Sequence, residues 1–222
     1  MKQEHLGSAD SKEPDSTEDR SSWAPPQVLG IVGGVSSGKS TVAGYFQDLG
    51  ARVVDADLLC HEALKDPKIQ ERVVHQFGLE VLGPDGVIDR TRLKGVFQAP
   101  EDLKRLESIL HPVVISRILE LLEEAHRDAI SLLILDAPLL LETGLDSLCN
   151  AIIFVETAES TRRERASSRG ISGEDWKRRE NIQKRIHQKK AQADYIIDNQ
   201  TSPANAREQV LRLWKLFLAA RG

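Results

Sequence analysis

Residues 33–40 read Gly33-Gly34-Val35-Ser36-Ser37-Gly38-Lys39-Ser40, the complete G-x-x-x-x-G-K-[ST] pattern of a phosphate-binding P-loop. Small residues let the backbone curl so that successive N–H groups face one concavity, and a helix starting there adds its positive N-terminal end. The backbone from Gly34 through Thr41 would cradle phosphates. Lys39 would reach the outer phosphates, and the Ser40 hydroxyl offers a ligand for Mg²⁺. The apolar run Val28–Val32 precedes the loop and the helix-compatible stretch Thr41–Phe46 follows it. A glycine-rich turn without a ligand is the plainer alternative, and the strand–loop–helix context argues against it.

Other residues could complete a phosphoryl-transfer site. Asp55-Ala56-Asp57 follows the second strand-like run, where a carboxylate lies on the ligand-binding edge of an open α/β sheet. There it could accept a proton from an acceptor hydroxyl or hold Mg²⁺ through water; alternatively, one of the two aspartates caps the next helix. Asp136 ends the run Leu132–Leu135 and could organise Mg²⁺ through water. Asn199, after the last strand-like run, either touches a bound adenine or makes a local turn bond. Arg162, Arg163, Arg165, Arg169, Lys177, Arg178, Arg179, Lys184, Arg185, Lys189 and Lys190 form a basic segment. Such a segment is either a lid closing cations over phosphates, with Arg165 and Arg169 the leading candidates, or a solvated helix surface. The short connection from the loop to the next strand, with no N-K-x-D segment for guanine readout, favours a nucleotide kinase over a GTPase.

These residues need a scaffold. Continuous apolar runs at Val28–Val32, Arg52–Val54, Leu132–Leu135, Ala151–Val155 and Tyr195–Ile197 predict parallel strands covered on both faces. Their alternation with helical patterns predicts an α/β sheet with right-handed crossovers. Between Leu58 and Arg127 the pattern is helical: Leu58–Leu64, Lys68–Phe77, Arg90–Phe97, Glu101–Leu110 and Val113–Ala125. His111 precedes Pro112, which biases its backbone toward an extended conformation between the last two helices. Leu103, Leu106, Ile109 and Leu110 read as packing residues, and so do Val210, Leu211, Trp214, Leu216 and Phe217 of a final helix, about 204–219. Residues 1–26 are polar and charged and read as a disordered tail. The core then comprises residues 27–57 and 128–222, with a lid at about 160–192 and a helical insertion at 58–127.

The 222 residues carry a net charge of −4, which gives no general attraction to nucleic acid or to an anionic membrane. No run is long and apolar enough to span a bilayer, and the acidic N-terminus reads neither as a signal peptide nor as a transit sequence. Cys60 and Cys149 have no metal-ligand spacing and fit buried thiols in a reducing, cytoplasmic setting.

The P-loop followed by Val54-Asp55-Ala56-Asp57 resembles the dephospho-coenzyme A kinase family. The similarity continues through Phe77-Gly78, Asp85-Gly86, Asp89-Arg90, His111-Pro112 and Pro138-Leu139-Leu140-Leu141-Glu142. It continues with Arg165, Arg169, Arg179, Gln183, Lys189, Ala193-Asp194 and Asn199, and covers about Val28 to Gly222. The resemblance implies a P-loop kinase with a five-stranded parallel sheet, helices on both faces, a helical acceptor-binding insertion and a mobile lid. It implies Mg·ATP-dependent phosphorylation of the ribose 3′-hydroxyl of dephospho-CoA, the last step of CoA synthesis. In that setting Asp57, Lys39 and Arg165 carry catalysis, and His111, Pro138 and Leu139 lie beside the acceptor. Ser36 stands where the family often has glycine. A kinase of another small acceptor, or a nucleotide-dependent binding module, remains open on the residues alone.

Overall fold

The computed structural model describes residues 25–97, 100–137, 139–182 and 186–219. Five strands form one all-parallel sheet: β1 (Gln27–Val32), β2 (Arg52–Asp55), β3 (Leu132–Asp136), β4 (Ala151–Glu156) and β5 (Tyr195–Asp198). Their spatial order is β2-β3-β1-β4-β5. The strands bury alternate residues on opposite faces, as a two-residue side-chain period requires. Val28, Val32, Val54, Leu133, Leu135, Ile152 and Phe154 pack on one face. Leu29, Ile31, Leu132, Ile134, Ile153, Val155 and Ile197 pack on the other. Helices α1 (Lys39–Asp48) and α9 (Pro203–Ala219) cover the second face through Val42, Phe46, Ala206 and Val210. The first face is covered by α2 (Ala56–Ala63) and α5 (Pro100–Arg127), through Leu59, Val114 and Ile118. Each fully buried aliphatic side chain contributes roughly 1.5–3 kcal/mol, so this double cover holds the sheet rigid under the loops at its edge.

Between β2 and β3 the chain makes α2, α3 (Pro67–Phe77), α4 (Arg90–Gly95) and α5, with a small core of Ile69, Val73, Val81, Leu93 and Ile109. Aspartates start several of these helices. Asp55, Asp66 and Asp89 accept the free N–H groups of Leu58, Lys68, and Thr91 with Arg92, respectively. Between β4 and β5 lie α6 (Glu159–Ser168), α7 (Gly173–Ile182) and α8 (Ile186–Ala191).

Two expectations are corrected here. The chain around His111 and Pro112 is helical, and α5 runs through it without a break. Proline there removes one backbone bond and costs about 3 kcal/mol. Burial on both sides offsets that cost, with Ile109 and Leu110 in the insertion's core and Val114 and Ile118 on the sheet. In α9, Leu211 and Leu216 are exposed, while Val210 carries the buried contact. Each of β2, β3, β4 and β5 also extends one residue beyond its apolar run, ending on Asp55, Asp136, Glu156 and Asp198. The expected tail lies outside the described residues over positions 1–24.

Candidate active site

β1 ends at Val32, and the chain turns through the P-loop into α1. Gly38 stands at the N-cap with φ of 94°, and no side chain caps the helix. The first N–H groups of α1 are therefore left for a ligand, the arrangement that attracts an anion. A Cβ at Gly38 would lie 2.3 Å from Asn199 Nδ2, so both backbone angle and space call for glycine here. The loop is braced from behind. Thr157 Oγ1 and Asn199 Nδ2 each donate to the Ser37 carbonyl at 2.8 Å, and Arg165 Nη1 donates to it at 3.3 Å. A trans peptide carries its C=O and N–H on opposite sides, so fixing the Ser37 carbonyl outward turns the Gly38 N–H the other way.

Lys39 Nζ folds back on the loop and donates to the Gly33 and Gly34 carbonyls, both at 3.3 Å. Burial lowers its pKa, while Asp136 opposes that shift. Ser40 Oγ donates to Asp136 Oδ2 at 2.9 Å. Asp136 is only 6% exposed at the end of β3, and burial raises its pKa against the pull of Lys39 and Ser40. A hydroxyl and a buried carboxylate beside a phosphate loop are hard oxygen donors, suited to Mg²⁺.

The two aspartates after β2 separate into different roles. Asp55 caps α2, accepting Leu58 N–H at 3.0 Å. Asp57, in the first turn of α2, lines a cavity of about 420 Å³. Desolvation in the cleft and the Asp55 charge raise its pKa, while Arg90 and Lys39 pull it down. The cavity lies between α2, α4 and α5. Its apolar wall includes Leu64, Leu93, Phe97, Leu106 and Leu110, and its polar groups include Arg90, Lys94, Arg179, His61, Glu107 and His111.

Several site expectations meet in one place. His111 and Leu139 line the cavity that contains Asp57. Pro138 lies outside the described residues. Leu103, Leu106 and Leu110, read as packing residues, also form cavity wall. A smaller pocket of about 140 Å³ is lined by Gly38, Thr41, Tyr45, Arg165, Arg169 and Asn199. The Arg165 guanidinium lines it while donating to Ser37 O and, at 3.2 Å, to Asn199 O. Lys189 is fully buried and pairs with Glu142 at 3.1 Å. The thiols of Cys60 and Cys149 are pushed up by burial to about 11 and about 12, which disfavours the thiolate.

Sequence reasoning missed Arg90, Lys94 and His61 as cavity residues and Thr157 as a loop brace. His61 Nδ1 finds no hydrogen-bond partner among the described residues. For His61 a signal existed, because it lies one helical turn after Asp57, on the same face of α2. Thr157 carried none; it reaches the loop only because β4 runs beside β1.

Comparison with known proteins gives a consistent result. A family model described as dephospho-CoA kinase matches residues 27–205. The dephospho-CoA kinase of Aquifex aeolicus is 38% identical over 189 residues, covering 84% of this chain and 95% of the relative. That of Symbiobacterium thermophilum is 35% identical over 199 residues, covering 88% and 83%. A solved Thermus thermophilus structure superposes with a TM-score of 0.77 at 33% identity, over 88% of this chain and 99% of that one. Dephospho-CoA kinase from Campylobacter jejuni superposes at 0.63 with 26% identity, over 85% and 95%. Matched by the family model along most of its length, and by relatives 35% and 38% identical over most of both chains, the chain belongs to the dephospho-CoA kinase family.

Proposed function

We infer that the protein transfers the γ-phosphoryl group of ATP to the ribose 3′-hydroxyl of dephospho-CoA, giving CoA and ADP. The observation that carries this reading is the position of Asp57, in the first turn of the helix that follows β2 and on the wall of the cavity. An acceptor in the cavity and a nucleotide on the loop would then meet at its carboxylate.

In this reading the N–H groups of the Gly34–Thr41 segment hold the β- and γ-phosphates, and Lys39 leaves the Gly33 and Gly34 carbonyls to lie against them. Ser40 would hold Mg²⁺ with Asp136 beside it; when bound, the ion offsets phosphate charge. Arg165, Arg169 and Asn199 border the pocket for the nucleoside end of ATP. Arg90, Lys94 and Arg179 supply cations for the acceptor's pyrophosphate, and the leucine wall takes its apolar arm. Asp57 accepts the 3′-hydroxyl proton as the new O–P bond forms and the bond to the ADP oxygen breaks. His111 and Leu139 position the acceptor. Helices α6 to α8 act as the lid, and α2 to α5 as the acceptor domain. Excluding water from the closed site limits ATP hydrolysis. The absence of a membrane-spanning helix among the described residues is compatible with a cytoplasmic location.

The test is a coupled ADP-release assay with Mg·ATP and dephospho-CoA, AMP, CMP, UMP, adenosine or water, with products identified by mass. Turnover with dephospho-CoA alone, yielding CoA, is the expected result. Turnover only with another acceptor would replace the substrate assignment. ATP binding without any transfer would favour a binding module.

A further inference from the structure

Ser36, in the middle of the phosphate loop, has φ of 61°. That left-handed conformation is costly for a residue with a side chain, so the surrounding structure must enforce it. The neighbouring Val35 is held on both of its backbone groups. Its N–H donates to Glu180 Oε2 at 3.1 Å, and its carbonyl accepts from Arg162 Nη1 at 3.5 Å. Arg162 and Glu180 are themselves paired at 2.6 Å. Arg162 is 3% exposed, and its Nε donates to the Thr157 carbonyl at 3.3 Å. Its guanidinium presses on the loop at Gly34, where a Cβ would lie 2.3 Å from Nη1. Trp176 of α7 lies under it at 5.3 Å and joins Val35 and Ala166 in a small apolar cluster.

Arg162 is buried and Glu180 half-buried, so the pair carries a desolvation penalty that a single ion pair does not reliably recover, and it is better explained by the conformation it selects. We propose that Arg162 and Glu180 are a positioning pair that holds Val35 and Ser36 in the phosphate-binding conformation. ATP affinity then depends on α6 and α7 being docked against the loop. The dependence exists because position 36 carries a serine: a glycine would adopt the same backbone angle at little cost. The inference rests on ATP being the ligand of the loop.

The experiment measures the Kd for Mg·ATP by equilibrium titration, and KM for ATP and for dephospho-CoA. It uses the wild type, E180A, S36G and the E180A/S36G double variant, with folding of each checked by circular dichroism. E180A should weaken ATP binding by about tenfold, or ~1.4 kcal/mol, while KM for the acceptor moves by less than about twofold. In the S36G background the same substitution should cost about threefold or less. E180Q keeps an acceptor for the Val35 N–H and should lose less than E180A. If E180A does not fold, E180Q and R162K carry the same comparison across the two backgrounds. An equal loss with and without S36G, no loss of ATP affinity, or equal rises in both KM values would overturn the role of the pair. A wild-type chain that binds no ATP would overturn the nucleotide reading and this inference with it.

Discussion

Asp55 and Asp57 stand two positions apart and have opposite fates. Asp55 spends its carboxylate on the Leu58 N–H, which fixes the start of α2 and with it the direction of Asp57. Asp57 remains available in the cavity, with a pKa raised by desolvation and by Asp55. A general base contributes typically 10²–10⁴-fold, so Asp57→Asn should lower kcat by about that factor. Because the folded-state pKa lies above the unfolded one, the native state binds more protons between the two values. The Asp57 contribution to stability therefore falls as pH rises through that window and is unfavourable at neutral pH. Asp57→Asn should consequently melt at or above the wild-type temperature at pH 7, and a lower Tm would contradict this. The acid limb of kcat/KM should lie above the ordinary aspartate range and vanish in the variant. Lys39→Ala should cost about 10²–10³-fold in kcat, with much less effect on folding, since it removes a donor aimed at transferred charge. Near-normal turnover would remove Lys39 from the mechanism. The P-loop and Asp57 were legible because strand, loop and carboxylate are adjacent in sequence. Thr157, Arg162 and Glu180 were not, because each meets the loop across more than a hundred residues.

At the scale of elements, the strands were readable almost to the residue, since a doubly covered parallel sheet writes each strand as an unbroken apolar run. The uninterrupted helix α5 was not readable. Pro112 is a local break signal, and only the burial of both flanking halves, invisible in a single stretch of chain, overrides it. The far end of the same helix supports a prediction. Ala129, just beyond α5, has φ of 56°, and the Ile130 N–H reaches back to the Ala125 carbonyl at 2.9 Å. This is a left-handed helix terminus that usually carries glycine. Ala129 is exposed and loses no packing, so Ala129→Gly should stabilise the protein by up to about 1 kcal/mol, or roughly 2–4 °C in Tm. Differential scanning calorimetry would read this directly, and an unchanged or lower Tm would mean that the added unfolded-state freedom of glycine dominates.

For the molecule as a whole, the cavity that Asp57 lines and the pocket that Gly38 lines share no lining residue, so the proposed ligands have separate walls. Mg·ATP at about one hundred times its Kd should stabilise the fold by ~2.7 kcal/mol, raising Tm by roughly 5–10 °C. Dephospho-CoA should do so independently, and the two shifts should add unless α6 to α8 couple the sites. The net charge of −4 hides the local picture, in which cations gather on those three helices while carboxylates end four of the five strands. Composition fixes the sum of these charges, but it could not place them.

The brace on the Ser37 carbonyl has a consequence for how the protein is made. The phosphate loop is synthesised early, whereas Asn199 is bonded to it from 162 positions further along the chain. A ribosome that has released the loop has yet to make the residue that helps to orient it. The growing chain should therefore carry a visible but incompetent P-loop until Asn199 has been made. It should gain nucleotide affinity only when β5 inserts beside β4, so that occupancy by ATP reports closure of the sheet.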